Sequence, residues 1–182
     1  MIYFITTWTS SGIITGTGIS PDGTLPKEAI PCTEAQAKTP SAYLVDISTT
    51  PHTVVDAPTS VLLAQAQASQ IALLQSAFQK AEQAPVSITL VSGVTPSFGM
   101  TPHDWVKIVG LYSKYVAKGV ALPSGYQIPD VNGVLQSVTV TDIENLFDAG
   151  ETQMTGAISK LASLVGQVEA ATTVSAVQAI VW

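Results

Sequence analysis

The last third of the chain constrains the fold most, because three local signals follow one another there without conflict. Asn132-Gly133 lies between two β-prone runs, residues 126–131 and 134–140, and Asn-Gly favours the positive φ angles of a two-residue hairpin turn. The stretch that begins at Thr141 reads Thr-Asp-Ile-Glu, in which Thr141 and Glu144 satisfy first-turn amides as a capping box. We therefore expect a β-hairpin that runs directly into a capped helix.

Heptad-like spacing of apolar and small residues continues this helix, through Ile143, Phe147, Gly150, Met154, Ala157, Leu161, Leu164 and Val168. Thr172 or Thr173 is then expected to cap a short terminal helix. The chain ends at Trp182, whose indole we expect to be largely buried and to contribute about 2–3 kcal/mol through its apolar area. The alternative role for this indole is a contact between chains.

A second helix is predicted over residues 59–84, because Thr59 or Ser60 can cap it and neither Gly nor Pro interrupts it before Pro85. Steps of three and four residues relate Ala64, Gln67, Ile71, Leu74, Phe78 and Ala81, the pattern of a coiled-coil seam. An Ala-rich helix of this kind needs a partner to be stable in water. Packing within the same chain and a coiled coil between chains both satisfy that need.

The N-terminal part of the chain favours β-structure. Residues 2–8 are β-prone, residues 13–15 form a possible second strand, and Pro21-Asp22-Gly23 is a turn signal. This β unit is expected to trail into a Pro-rich linker near residue 40. Residues 43–47 and 53–56 then flank Thr50-Pro51-His52 as a second hairpin.

Between the two long helices, residues 86–91 are compatible with a strand, and Thr101-Pro102-His103-Asp104 has the signals of a helix start. Lys118-Gly119 ends that helix. The sequence thus predicts an α+β fold: a β-rich N-terminal module at 1–57, a connecting helix at 58–85, and a helix–hairpin–helix module at 86–182.

Charge limits the classes of partner. The chain carries 7 Lys+Arg against 13 Asp+Glu, a net charge of −6, and all the cations are lysines, so nucleic-acid binding is disfavoured. No apolar run approaches the ~20 residues that a membrane-spanning helix needs, and the start of the chain does not resemble a signal peptide. We expect synthesis in a cytoplasm and no insertion into a membrane.

No catalytic, cofactor-binding or metal-binding residue is predicted. Asp104 is accounted for as a helix-capping acid, His103 as a first-turn surface residue and His52 as a turn residue. Cys32 is the only cysteine, which excludes an internal disulfide. The serines lack a nucleophile-elbow context, so we expect a protein that is not an enzyme and needs no cofactor.

The C-terminal segment resembles a known family. Residues 120–182 contain a Leu-Pro-Ser-Gly segment at 122–125, a polar turn, a Val/Thr strand, a long helix, and Ala-Ala-Thr-Thr-Val at 170–174 before Trp182. This order is similar to that in small phage and prophage proteins known as tail fibre assembly proteins. Upstream the similarity is one of layout, in which Val54-Val55-Asp56-Ala57-Pro58 precedes the long helix. Many relatives carry Gly-Phe-Tyr near the start, whereas this chain does not.

The resemblance implies a non-enzymatic tail protein that associates with the fibre or baseplate, either as a resident virion subunit or adaptor or as a transient assembly factor. It also implies an oligomer, with a trimer as the first expectation. The expected contact residues are Ile71, Leu74, Phe78, Phe147, Met154, Leu161 and Trp182. The alternative function is a carbohydrate-binding module of the tail, which would present Trp8, Trp105 and Tyr126 to a sugar.

Overall fold

The computed structural model describes every residue of the chain, Met1–Trp182. The chain divides into two compact units, the first made of residues 1–69 and 171–179 and the second of residues 70–170 and 180–182. Helices and small antiparallel sheets are both present, so the predicted α+β class is confirmed. The predicted modules meet at residues 57–58 and 85–86. In the structure the boundary between the two units lies between residues 69 and 70, within the helix Thr59–Glu82.

The strands and helices, in chain order, are β1 (Ile2–Trp8), β2 (Ile14–Ser20), β3 (Ile30–Cys32), α1 (Glu34–Lys38), β4 (Tyr43–Asp46), β5 (Thr53–Asp56), α2 (Thr59–Glu82), β6 (Val86–Ser87), β7 (Ser97–Phe98), α3 (Pro102–Leu111), β8 (Gln127–Pro129), β9 (Leu135–Ser137), α4 (Val140–Ala170) and α5 (Val174–Gln178). A 3-10 turn (Pro40–Ala42) precedes β4, and a π-helical turn (Tyr112–Ala117) follows α3. The predicted helices at 59–84 and after Thr101 are confirmed.

The first unit is built on an antiparallel sheet in the order β2-β1-β3, beside the antiparallel hairpin β4–β5. Its small core contains Ile5, Ile14, Ile30 and Val45, of which Ile5 is completely buried. The segment before residue 40, which was expected to lead into a Pro-rich linker, contains a further strand, because Ile30-Pro31-Cys32 forms β3 and pairs with β1. Pro31 is tolerated because β3 lies at the edge of its sheet.

Gly12 joins the hairpin to the sheet. Its carbonyl accepts a 2.8 Å hydrogen bond from the Val45 amide, and its φ of +82° is a conformation that other residues rarely adopt. A Cβ at this position would lie 2.3 Å from the Val45 carbonyl oxygen. The turn after β1 therefore requires glycine.

Asp22 in the turn after β2 should titrate at unusually low pH. The Ser20 hydroxyl, followed by the hydroxyl and amide of Thr24, donates to its carboxylate and lowers its pKa to about 2. Because the pKa is lower in the folded state, the carboxylate stabilises the fold above its unfolded pKa of about 3.9, and this contribution disappears as the pH falls towards 2. NMR titration of the Asp22 carboxyl measures the pKa directly, and a midpoint near 3.8 would contradict the prediction.

The second unit has the larger core, formed by ten buried residues and the side chains packed on them. Residues 86–98 make a hairpin whose hydrogen bonds extend beyond β6 and β7, since the Ile88 amide donates to Pro96 and the Leu90 amide to Val94. The inward residues of this hairpin are apolar. Its outward residues form hydroxyl pairs, Ser87 with Ser97 and Thr89 with Thr95.

The turn between β8 and β9 differs from the predicted two-residue type. The Gly133 amide donates to the Asp130 carbonyl and the Asp130 amide donates to the Val134 carbonyl, which leaves three residues in the loop. Gly133 has a φ of +78° and Asn132 does not have a positive φ. The Asp130 carboxylate accepts from the amides of Asn132 and Val134, which favours this wider turn.

The cap of α4 also lies earlier than predicted. Thr139, not Thr141, precedes the first turn, and its amide and hydroxyl each donate to the Asp142 carboxylate at 2.7 Å. The Asp142 amide donates back to the Thr139 hydroxyl. Asp142 also accepts from the Val91 amide at 2.7 Å and is only 1% exposed. This link to the 86–98 hairpin explains why the helix begins two residues earlier.

Gln153 on α4 holds the end of α2. Its side-chain amide donates to the carbonyls of Ala81, Glu82 and Ala84 at 3.0, 3.2 and 2.7 Å. Ala81 and Glu82 lie in the last turn of α2, where carbonyls lack partners further along the helix, and Ala84 lies just beyond it. The two hydrogens of one amide group are therefore shared among three carbonyls at the end of the helix.

Gln153→Ala is expected to lower the free energy of unfolding by about 1–2 kcal/mol, because it leaves half-buried carbonyls without a donor. Chemical denaturation measures the difference. Gln167→Ala is the matched control, since the Gln167 amide reaches only the Ser163 hydroxyl, at 3.5 Å, on the same helix. Equal stability of the two variants would show that the Gln153 contacts contribute nothing.

Candidate binding cleft

The second unit contains a cleft of about 470 Å³ between α3 with its π-helical turn, the end of β7 and strand β8. This volume is within the usual range of ligand sites. The floor is apolar and belongs to the core, with Ile108 and Leu146 buried beneath it. Polar groups lie around this floor, in the arrangement expected of a binding site.

The π-helical turn brings two of the lining residues into the cleft. The Lys118 amide donates to the Ser113 carbonyl, five residues back, so the turn is wider than an α-helical turn. Lys114 and Tyr115 lie in this turn and both line the cleft. π-Helical turns occur frequently at functional sites.

Two lysines supply the positive charge of the cleft. Lys107 and Lys114 are seven residues apart, close to two helical turns, and neither forms an ion pair. Lys38, by contrast, pairs with Glu34 in the first unit. Asp104 also lines the cleft and adds one negative charge, and its carboxylate accepts a 2.6 Å hydrogen bond from the Thr101 hydroxyl. Neither ammonium group forms an ion pair with a carboxylate, and that of Lys114 lies 4.9 Å from the Tyr115 ring centroid.

Strand β8 presents an unpaired backbone edge to the cleft. In the antiparallel pair β8–β9, the hydrogen-bonded positions are 126, 128 and 130, because the Tyr126 carbonyl accepts from Val138 and the Asp130 amide donates to Val134. Bonded and non-bonded positions alternate along such a pair. The amide and carbonyl of Gln127 and the carbonyl of Pro129 therefore point away from β9.

The loop that follows β8 is fixed by Asp130. Burial acts to raise the pKa of this carboxyl, but hydrogen bonds from the Val134 and Asn132 amides and the Gln136 side chain outweigh it, so the pKa is lowered. The Val131 amide donates to the Ser97 carbonyl beside β7. These bonds hold the edge strand in place.

Two tyrosines complete the cleft. The rings of Tyr115 and Tyr126 pack on each other, with centroids 5.8 Å apart and planes tilted by 57°. Neither hydroxyl has a hydrogen-bond partner in the chain, and that of Tyr115 is not sealed in the core. The cleft thus combines free hydroxyl donors, two ammonium groups without a carboxylate partner and an unpaired strand edge.

The predicted contact residues on the long helices lie mainly in contacts within the chain. On α2, Leu74 is 1% exposed and Ile71 and Phe78 are half-buried. On α4, Phe147 stacks between Trp105 and Tyr112, with centroids at 5.4 and 4.0 Å. Met154 and Leu161, also on α4, are half-buried.

Trp182 is partly buried. Its ring contacts Phe78 edge-on at 6.4 Å, and the Lys160 ammonium group lies 4.8 Å from the ring centroid. The indole therefore contacts an apolar ring at Phe78 and a charged ammonium group at Lys160.

The aromatic residues proposed for sugar binding do not converge. Trp8 belongs to the first unit, where it packs edge-on against His52 at 5.8 Å beside a depression of about 420 Å³. Trp105 stacks on Phe147 in the second unit. Only Tyr126 lines the large cleft.

The remaining chemistry-bearing residues are dispersed. No group of three or more His, Cys, Asp or Glu side chains lies close enough together to hold a metal ion. His52 bonds through Nδ1 to the Thr49 carbonyl oxygen, His103 is exposed, and burial raises the pKa of the Cys32 thiol. None of the helices has the length and apolar character required to cross a membrane.

Composition and motifs did not single out Lys107 and Lys114, so the cleft was not predicted. Their spacing of seven residues on one predicted helix was the available signal, since it places both on one side. The unpaired edge of β8 depends on hydrogen-bond register, which the sequence does not reveal. No protein-family model, curated protein or solved structure matches this chain.

Proposed function

We propose that this chain is a non-enzymatic bacteriophage tail protein that associates with the tail fibre or the baseplate, as a structural subunit, adaptor or assembly factor. The observation that carries the proposal is the order of elements after residue 120. Hairpin β8–β9, the long helix α4 and the short helix α5 before Trp182 follow one another as in the family that this segment resembles.

The surface of the second unit supports a role in association. Val131, Val134 and Leu135 at the β8–β9 hairpin are 46%, 54% and 59% exposed. They lie together at one hairpin tip, in a chain of which only 11% of residues are charged. Grouped apolar side chains at a surface are typical of protein contacts. Binding to another tail protein would remove this apolar area from water.

Carbohydrate binding remains the alternative function, but the geometry favours it less. Sugar recognition uses exposed aromatic faces. Trp105 has one face on Phe147, and Tyr126 packs on Tyr115. Trp8 belongs to the first unit, whereas Trp105 and Tyr126 belong to the second. No shared aromatic platform supports a sugar ring.

The test is proteomics and electron microscopy of particles from the phage or prophage that carries the gene, with and without the gene. We expect particles from the deletion to lack fibres or to have defective baseplates. Presence of the protein in purified wild-type particles identifies a resident subunit, and absence together with the assembly defect identifies an assembly factor. Normal, infectious particles that never contain the protein would refute the proposal.

A further inference from the structure

We propose that the cleft of the second unit binds an extended, acidic peptide segment of a partner protein, which pairs with the free edge of β8 and places its carboxylates at Lys107 and Lys114. The inference is independent of whether the partner is a tail component. Three features of the cleft carry it: the strand edge, the two unpaired cations and the apolar floor.

The strand edge supplies the backbone interactions. The Gln127 amide and carbonyl and the Pro129 carbonyl point away from β9, so an added strand finds one donor and two acceptors. Addition of a strand to an exposed edge is a common mode of peptide recognition. Pro129 offers no amide, which limits the pairing to a short stretch and makes side-chain contacts decisive.

The lysines select the charge of the peptide. Seven residues along a helix separate Lys107 from Lys114 by roughly 10 Å. Side chains on one face of an extended chain are about 7 or 13 Å apart, and the long lysine side chains can span the difference. Both ammonium groups lack a carboxylate partner, although the chain as a whole has a net charge of −6. Carboxylates on an extended segment would complement both ammonium groups. A basic segment would be repelled by them.

The floor and the tyrosines select an extended chain over a sugar. Leu111, with the buried Ile108 and Leu146 behind it, offers apolar surface to the side chains that alternate with the acidic ones. The hydroxyls of Tyr115 and Tyr126 are available, but their rings pack on each other. A sugar would gain hydroxyl contacts without a stacking surface, whereas a peptide uses the hydroxyls, the floor and the strand edge together.

Selection of a random peptide library by mRNA display against the full-length chain tests the proposal. We expect enriched peptides that combine Asp or Glu with β-prone residues. Their binding should protect the Gln127 amide from hydrogen exchange, measured by NMR. The double variant Lys107→Glu/Lys114→Glu should weaken binding at least about tenfold. Lys80→Glu/Lys118→Glu is the control, because it changes the net charge equally at lysines outside the cleft.

A second variant keeps the test independent of charge. Gly110 lines the cleft and its added Cβ would meet no atom within 4 Å, so Gly110→Trp adds a bulky side chain at the wall of the cleft without a clash at Cβ. Thermal unfolding checks that every variant folds. The proposal is overturned if selected peptides bind Gly110→Trp or the cleft double variant as tightly as the original chain, or if no peptide is enriched. Binding of an oligogalacturonate probe in the cleft, without any peptide binding, would assign the site to acidic sugars and overturn the proposal equally.

Discussion

Replacement of Asp142 by alanine is expected to lower the free energy of unfolding by about 3–4 kcal/mol. The change removes the helix cap with Thr139, worth about 1 kcal/mol. It also removes charged hydrogen bonds at about 1.5–3 kcal/mol and leaves the Val91 amide without its acceptor. Because Asp142 is 1% exposed, water cannot easily replace the lost acceptor. Urea denaturation followed by circular dichroism measures the loss.

Thr141→Ala and Glu144→Ala are the controls for this prediction. Both residues are exposed on the first turn of α4, and the sequence alone favours them as the cap. We expect each to change stability by less than about 0.5 kcal/mol. A loss at Thr141 or Glu144 comparable with that at Asp142 would show that the cap is placed wrongly.

Gly150→Ala is expected to destabilise the second unit by about 1–3 kcal/mol, even though alanine is the better helix former. An added Cβ would lie 2.5 Å from the Trp105 ring and 3.2 Å from the Met100 sulfur. Trp105 cannot move freely, since it stacks on Phe147. The methyl group must therefore displace an indole that is packed on the core.

Gly156→Ala is the matched control, six residues further along the same helix. Its Cβ would meet no atom within 4 Å, so only helix propensity changes, and we expect a gain of about 0.5–1 kcal/mol. The two substitutions are chemically identical, and their opposite signs in thermal denaturation would isolate the contact with Trp105. Stabilisation by both would mean that the indole does not lie against Gly150.

Local signals predicted the elements whose stability is decided locally. The helix after Pro58 and the Thr101 cap of α3 follow from residues within one turn, and the structure has both. Thr139 outcompetes Thr141 because Asp142 also binds Val91, 51 residues away in sequence. A capping pattern considers only residues within one turn and cannot include Val91. The predicted helix start was therefore two residues too late.

The cleft was less predictable because it is a property of register and of packing between elements. The signals at residues 101–104 predicted α3, whose Ile108 is buried in the core and whose continuation packs Tyr112 against it. The sequence did not predict the π-helical turn that brings Lys114 and Tyr115 into the cleft. Nor did it predict β3, since a Pro-containing segment resembles a linker until a neighbouring strand is available to pair with it.

Each unit is built from two segments that are separate in the sequence, and this has a consequence for biosynthesis. Residues 171–179 belong with residues 1–69 in the first unit, and the Gln67 side chain donates to the Ala171 carbonyl. A ribosome makes these partners about a hundred residues apart, so the first unit is completed only after the whole of α4 has been translated. Co-translational folding of the N-terminal sheet therefore leaves a transient, unfinished surface. A premature stop before residue 171 would deprive both units of a segment at once.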